Sequence, residues 1–177
     1  MKTMAFNEAL REGLHEEMAR DDSIFVLGED VITHGGPYKV TDGIAERFPG
    51  RIFETPIAEA GIVGVGVGAA LAGMRPVIEL MYLDFVTCAM DEVVNQAAKM
   101  RYMSGGQGSV PMVIRLPCGV GRLLAAAFTN HGIVVYACAR IAGSGAVYTG
   151  RCERLIQICH TFARSGAVFR IQTNLYQ

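Results

Sequence analysis

Apolar residues recur at four-residue intervals near the start of the chain, at Phe6, Leu10, Leu14 and Met18. This spacing places all four on one face of a helix. Thr3, just before them, is a candidate for the N-terminal cap. We therefore predict an amphipathic helix whose apolar face packs against a core.

Short apolar runs further along the chain predict strands, and longer patterned segments between them predict helices. The strands are expected at residues 23–28, 52–54, 76–81 and 110–116, and the helices at residues 59–73 and 84–103. Alternating strands and helices are typical of an α/β fold with a mostly parallel sheet and helices on both faces. Beyond residue 122 the pattern is weaker, with strands predicted at residues 132–137 and 166–171 and a helix at residues 153–163.

Glu59 is the acidic residue that most needs an explanation. It follows a Thr-Pro corner at residues 55–56 and opens a segment of small and apolar residues, 60–74. A carboxylate beside so much apolar surface is costly to desolvate, so it requires a partner or a chemical role. By position alone, the simpler interpretation is a carboxylate stabilised by the free N–H groups and the dipole of a helix N-terminus.

Composition excludes several classes of protein. The chain has 177 residues, enough for one domain with a core, and its net charge of −1 argues against a nucleic-acid partner. Apolar runs are interrupted before about 18 residues, which argues against a membrane span. The N-terminal residues lack the pattern of a signal peptide. The five cysteines form no CxxC pair, which favours a reducing compartment, and Cys152, Cys159 and His160 match no standard metal-site spacing.

Several motifs occur together in one order along the chain. They are GEDV (28–31), GGPYKVTDGI (35–44), RIFETPIAEAGIVGVGVGAALAGMRPVIELMYLDF (51–85), MDEVVNQAAKMRYMSGGQ (90–107) and VPMVIRLPCG (110–119). Over roughly residues 1–121, the chain resembles the beta subunit of the thiamine-diphosphate-dependent dehydrogenase component of 2-oxo acid dehydrogenase complexes, of the pyruvate or branched-chain type. Agreement of several independent motifs is more specific than one short pattern. The resemblance implies an incomplete transketolase-like pyrimidine-binding domain at 1–121, with the C-terminal transketolase-type domain absent.

The resemblance implies a role for three residues. Glu59 would hydrogen-bond the pyrimidine nitrogen of thiamine diphosphate, and it would favour the tautomer that removes the thiazolium proton. Phe85 would stack on the pyrimidine ring, although a core aromatic is as good an interpretation. Ile57 would contact the same ring, although plain core packing is an equal alternative.

The resemblance also implies an oxidoreductase and its partners. The reaction would be oxidative decarboxylation of a 2-oxo acid, with pyruvate expected, and acyl transfer to lipoyl groups. Thiamine diphosphate would be shared with an alpha subunit, which would also hold magnesium. The other partners would be a second beta subunit and a lipoyl acyltransferase core. The compartment would be the bacterial cytoplasm or the mitochondrial matrix.

Charge changes abruptly after residue 122. Residues 1–122 hold 11 Lys and Arg against 16 Asp and Glu, a balance of −5, whereas residues 123–177 hold five Arg and one acid, Glu153, a balance of +4. Codons for residues 137–150, read one base later, can encode HAPGLRVVVPSTPG, which is similar to the family's continuing sequence. We therefore predict that a single frame change near residues 119–125 produced a divergent segment at 122–177, which we expect to pack poorly.

Two alternative functions follow from these observations. The first is a truncated, non-catalytic product of the same gene family, because the histidine motif expected after residue 122 is missing and the chain is expected to be inactive alone. The second is a nucleotide-binding module. It depends only on a weak glycine pattern that lacks the usual GxGxxG spacing, at Gly61, Gly64, Gly66 and Gly68.

Overall fold

The computed structural model describes residues 5–118, 147–149 and 168–173. Their α-helices are α1 (Phe6–Arg20), α2 (Ile44–Arg47), α3 (Glu59–Leu71) and α4 (Met100–Met103), and a short 3₁₀ helix spans Pro37–Lys39. Their strands are β1 (Ile24–Gly28), β2 (Ile52–Glu54), β3 (Arg75–Glu79), β4 (Val113–Cys118), β5 (Val147–Thr149) and β6 (Val168–Thr173). The six strands form one sheet in the order β2-β1-β3-β4-β6-β5, and every neighbouring pair is parallel. The predicted α/β fold with a parallel sheet is confirmed.

The side chains of β1 alternate between two cores, one on each face of the sheet. Phe25 and Leu27 belong to the larger core, which α3 covers. Ile24 and Val26 belong to the smaller core, together with side chains of α1 and α2. Because successive residues of a strand point to opposite faces, helices cover both faces of the sheet, as predicted.

The predicted apolar face of the first helix is confirmed. Leu10, Leu14 and Met18 are all buried. The helix begins at Phe6, and the backbone N–H of Ala5 donates to Oε2 of Glu8 at 3.1 Å. Thr3, the predicted cap, lies outside the described residues.

The predicted long helix at residues 84–103 is wrong as a single element. The chain forms a 3₁₀ helix at Leu83–Ala89 and a π-helical segment at Glu92–Ala97, and then α4. The buried side chains explain the change, because Leu83, Val86 and Ala89 recur every three residues, the repeat of a 3₁₀ helix. Cys88, within the 3₁₀ helix, is exposed.

Other boundaries move by a few residues. Strand β3 is Arg75–Glu79 rather than 76–81, and β4 begins at Val113 rather than 110. Strand β6 overlaps the strand predicted at 166–171, while β5 was not predicted. The strand predicted at 132–137 and the helix predicted at 153–163 lie outside the described residues.

Candidate functional site

Polar residues gather where the strands end. Strand β1 is followed by Glu29, β2 ends at Glu54 and is followed by Thr55, and helix α3 starts at Glu59. Gly28 lies opposite Glu54 in the parallel register of β1 and β2. The carboxyl ends of parallel strands form the usual ligand-binding edge of an open α/β sheet, so this edge is the candidate site.

Glu59 is the first residue of α3, as the sequence predicted. Its side chain is half-buried, and the preceding residue, Ala58, provides no side-chain cap. The free N–H groups of a first helical turn favour a negative charge at this position. The helix N-terminus can therefore stabilise the Glu59 carboxylate while that carboxylate also has a chemical role.

Gly66 sets the distance between α3 and the sheet. A Cβ at this residue would lie 2.7 Å from Cδ1 and 2.8 Å from Cγ1 of Ile78, which is fully buried in β3. Real side chains do not approach so closely, so a side chain at residue 66 would force the buried Ile78 to shift. The close approach fixes α3, and with it Glu59, against the neighbouring strand.

Glu29 is a second carboxylate of the site that sequence reasoning missed. It is only 3% exposed, and its Oε1 has no hydrogen-bond partner among the described residues. Burial raises the pKa of Glu29 above its ordinary value, and the nearby charges of Glu59 and then Asp30 raise it further. The available signal was an acid directly after a buried strand, within the GEDV motif.

Thr55 provides another polar atom that lacks a partner. Its Oγ1 is buried and makes no hydrogen bond within the described part of the chain, while its backbone N–H donates to the carbonyl of Gly28 at 3.0 Å. Buried polar atoms are nearly always paired, so each exception needs a reason. Two such atoms, on Glu29 and Thr55, at the ends of adjacent strands fit a site that receives polar groups of a ligand.

The two predicted apolar contacts lie at the surface. Ile57 is 80% exposed, so it does not pack in the core. Phe85 is 40% exposed, and its ring meets that of Tyr82 edge-on, with 6.0 Å between centroids. Their binding roles remain predictions. Exposed apolar side chains beside polar groups are nevertheless the usual composition of a cofactor pocket.

The loop after Glu29 has an unusual backbone. Asp30, Tyr38 and Lys39 have φ values of 53°, 59° and 61°, a region that side chains other than glycine rarely adopt. Such residues cost about 1–3 kcal/mol each and persist only where the surroundings hold them. Glu54 helps to hold this loop. Its carboxylate accepts hydrogen bonds from the backbone N–H of Ile32, the backbone N–H of Thr33 and the Thr33 hydroxyl. Hydrogen bonds from Thr33 lower the pKa of Glu54.

Other kinds of site find no support within the described ranges. The four glycines of the weak nucleotide-binding pattern all lie inside α3, whereas phosphate-binding glycines occupy a loop before a helix. Among residues 5–118, 147–149 and 168–173, no group of three or more His, Cys, Asp or Glu side chains could hold a metal ion. No helix in these ranges has the length and apolar character needed to cross a membrane.

The fold is an open α/β domain with the candidate site at the carboxyl edge of a parallel sheet. The family described as transketolase, pyrimidine binding domain, matches residues 2–141. The chain belongs to this family. A solved structure described as split gene transketolase, inactive beta4 tetramer, has a TM-score of 0.71 and 21% identity, covering 97% of this chain and 51% of that one. That likeness shows a transketolase-like fold.

More similar relatives are pyruvate dehydrogenase E1 component beta subunits. The protein of Rickettsia bellii is 49% identical over 130 residues, which cover 73% of this chain and 40% of the relative. The chloroplastic beta-3 subunit of Arabidopsis thaliana is 51% identical over 120 residues, covering 67% of this chain and 30% of the relative. The chain thus spans less than half the length of these relatives.

Proposed function

We propose that this chain provides the pyrimidine-binding half of a thiamine diphosphate site in the beta subunit of a 2-oxo acid dehydrogenase, with pyruvate as the expected substrate. The observation that supports this most directly is the position of Glu59. It stands at the N-terminus of α3 on the carboxyl edge of a parallel sheet, close enough to Glu29 for its charge to affect that residue. Relatives that are 49% and 51% identical in sequence are pyruvate dehydrogenase beta subunits.

The residues of the edge fit the pyrimidine half of the cofactor. Glu59 would accept or share a proton with a ring nitrogen, a task for which a carboxylate in a partly dry pocket is suited. Ile57 and Phe85 would contact the faces of the ring. Glu29, whose raised pKa favours the protonated form, would avoid placing a second full negative charge beside Glu59. When bound, thiamine diphosphate supplies the electron sink for decarboxylation.

The remaining parts of the site would come from partners. We propose that an alpha subunit binds the diphosphate and magnesium, that a second beta subunit completes the assembly, and that a lipoyl acyltransferase core receives the acyl group. The exposed apolar side chains near the site, Phe53, Ile57 and Phe85, suit contact with a partner surface. A bacterial cytoplasm or a mitochondrial matrix is the proposed compartment.

Activity in the reconstituted assembly tests the role of Glu59. The beta subunit with its reading frame restored after residue 122 is mixed with its alpha subunit, thiamine diphosphate, magnesium and pyruvate. Glu59→Gln should lower decarboxylation by about 100- to 10,000-fold, the usual effect of losing a general acid or base. Glu46→Gln is the matched control, because Glu46 is an exposed carboxylate in the first turn of α2. Full activity in the Glu59 variant would show that another carboxylate acts.

A non-catalytic product of the same gene family is the second candidate, and the charge break at residue 122 favours it. The 177-residue chain, assayed in the same mixture, should then show little or no decarboxylation. Robust turnover by this chain would refute the candidate. Resequencing the DNA across codons 115–130 decides whether a frame change is present.

A further inference from the structure

A buried ion pair lies beneath the candidate site. Glu79 ends β3 and lies opposite Arg115 of β4 in the parallel register. Their exposed fractions are 1% and 5%, and Nε and Nη2 of Arg115 donate to the two carboxylate oxygens of Glu79. Burial raises the pKa of Glu79 to about 7, and Arg115 acts in the opposite direction. A carboxylate at this depth therefore depends on the guanidinium.

Net stability is a poor explanation for such a pair. Removing two charges from water costs nearly as much as their attraction returns, and apolar replacements are often neutral or stabilising. A role in holding neighbouring groups in place explains its presence better. The contacts of the pair show which groups these are.

Both ends of the loop at residues 29–39 lie close to Glu79 or Arg115. Just before the loop, Gly28 pairs with Glu79 in the sheet and packs on its backbone, where a Cβ would lie 2.3 Å from the carbonyl oxygen and 2.6 Å from Cβ of Glu79. Near the end, Nη2 of Arg115 donates to the carbonyl of Pro37 at 3.2 Å. Pro37 immediately precedes Tyr38 and Lys39, two of the residues with positive φ.

Other side chains hold the same loop from the surface. Asn7 donates to the carbonyl of Tyr38 at 3.0 Å and Arg11 to that of Lys39 at 3.2 Å. Of these three donors, Arg115 is the buried one. Its hydrogen bond to Pro37 is partly buried, and its planar fork can bind a carboxylate and a carbonyl at once.

We propose that Arg115, paired with Glu79, is a positioning residue that holds the loop at residues 29–39 in its strained conformation and thereby keeps Glu29 beside Glu59. The importance of that placement rests on the proposed function. The order of the loop and the protonation of Glu29 can be measured without any cofactor. A failure of the thiamine-dependent activity therefore would not refute this proposal, and a failure of this proposal would not refute the proposed activity.

Amide hydrogen exchange of the 177-residue chain tests the proposal. The double variant Glu79→Met/Arg115→Met leaves no unpaired buried charge, so β3 and β4 should stay protected. Peptides covering residues 29–39 should nevertheless exchange at least about 10-fold faster than in the unmodified chain, because the Pro37 carbonyl has lost its donor. Unchanged protection of residues 29–39, or equal acceleration along the whole chain, would overturn the proposal.

Arg51→Met is the matched control. Arg51 also donates to backbone carbonyls, those of Met18, Asp21 and Ile24, but at the opposite end of β1. This variant should speed exchange around residues 18–24 and leave residues 29–39 slow. Acceleration at residues 29–39 as large as in the double variant would show that any lost arginine loosens the loop.

Two further measurements separate positioning from simple support of the core. Arg115→Lys keeps a positive charge beside Glu79 but lacks the fork, so it should loosen residues 29–39 while β3 and β4 stay protected; it also serves if the methionine variants do not fold. In Arg115→Lys and in the double methionine variant, the pKa of Glu29, followed by carboxyl NMR, should fall toward its ordinary value. The reason is that the side chain moves into water and away from Glu59. A slow loop with an unchanged Glu29 pKa in Arg115→Lys would refute the role.

Discussion

Replacing Gly66 by alanine should destabilise the chain, although alanine is the better helix former. The new Cβ would lie 2.7 Å and 2.8 Å from two atoms of Ile78, and 3.5 Å from Sδ of Met112. Both neighbours are almost completely buried and have little room to move. Overpacking of this kind costs about 1–3 kcal/mol, while the gain in helix propensity is about 1 kcal/mol. The net loss should be about 0–2 kcal/mol.

Gly68→Ala is the matched comparison within the same helix. A Cβ there meets no atom within 4 Å in the described part of the chain, so only the propensity gain of about 1 kcal/mol should remain. The two variants should therefore differ by about 1–3 kcal/mol in the free energy of unfolding. Urea unfolding followed by circular dichroism measures this difference as a shift in the midpoint.

A second substitution identifies the contact responsible. Ile78→Val removes Cδ1, the atom nearest the new Cβ, and should cost about 0.5–1.5 kcal/mol alone. Combined with Gly66→Ala it should cost less than the sum, with a coupling of at least about 0.5 kcal/mol. Equal stability of the two alanine variants, or strict additivity in the double variant, would refute the account of how α3 approaches the sheet.

Two further predictions concern protonation at the site. Glu59→Gln should lower the pKa of Glu29 in a carboxyl NMR titration, although burial, the larger cause, should keep it above its ordinary value; an unchanged midpoint would mean that the two carboxyls do not interact. Because the folded-state pKa of Glu29 is raised, its contribution to stability is present below the unfolded pKa, 4.5, and is lost as pH rises through the folded pKa. Between the unfolded and the folded pKa of Glu29, the unfolding free energy should therefore fall less steeply with pH in Glu29→Gln than in the unmodified chain. An equal slope in the two proteins would contradict a raised pKa of Glu29.

Local patterns in the sequence determined several elements well. The spacing of Leu10, Leu14 and Met18 required a helix with one buried face, and β2 has the predicted bounds of 52–54. Glu59 was correctly placed at the start of α3, because the Thr-Pro corner and the small residues after it define that boundary locally. The motifs in their order also led to the correct family.

Contacts between residues far apart in sequence decided the rest. The apolar pattern of residues 84–103 predicted one helix, but burial against the larger core selects 3₁₀ and π geometry. Strand order is another case, since β6 pairs with both β4 and β5, and strand patterns carry no information about which strands become neighbours.

The second carboxylate of the site also depended on tertiary structure. Glu29 becomes significant only because β1 and β2 end at the same edge, because Gly28 packs on Glu79, and because α3 carries Glu59 to that edge. A sequence records which residues are acidic and where an element begins. Burial and the distance between two charges, which set a pKa, exist only once the chain has folded.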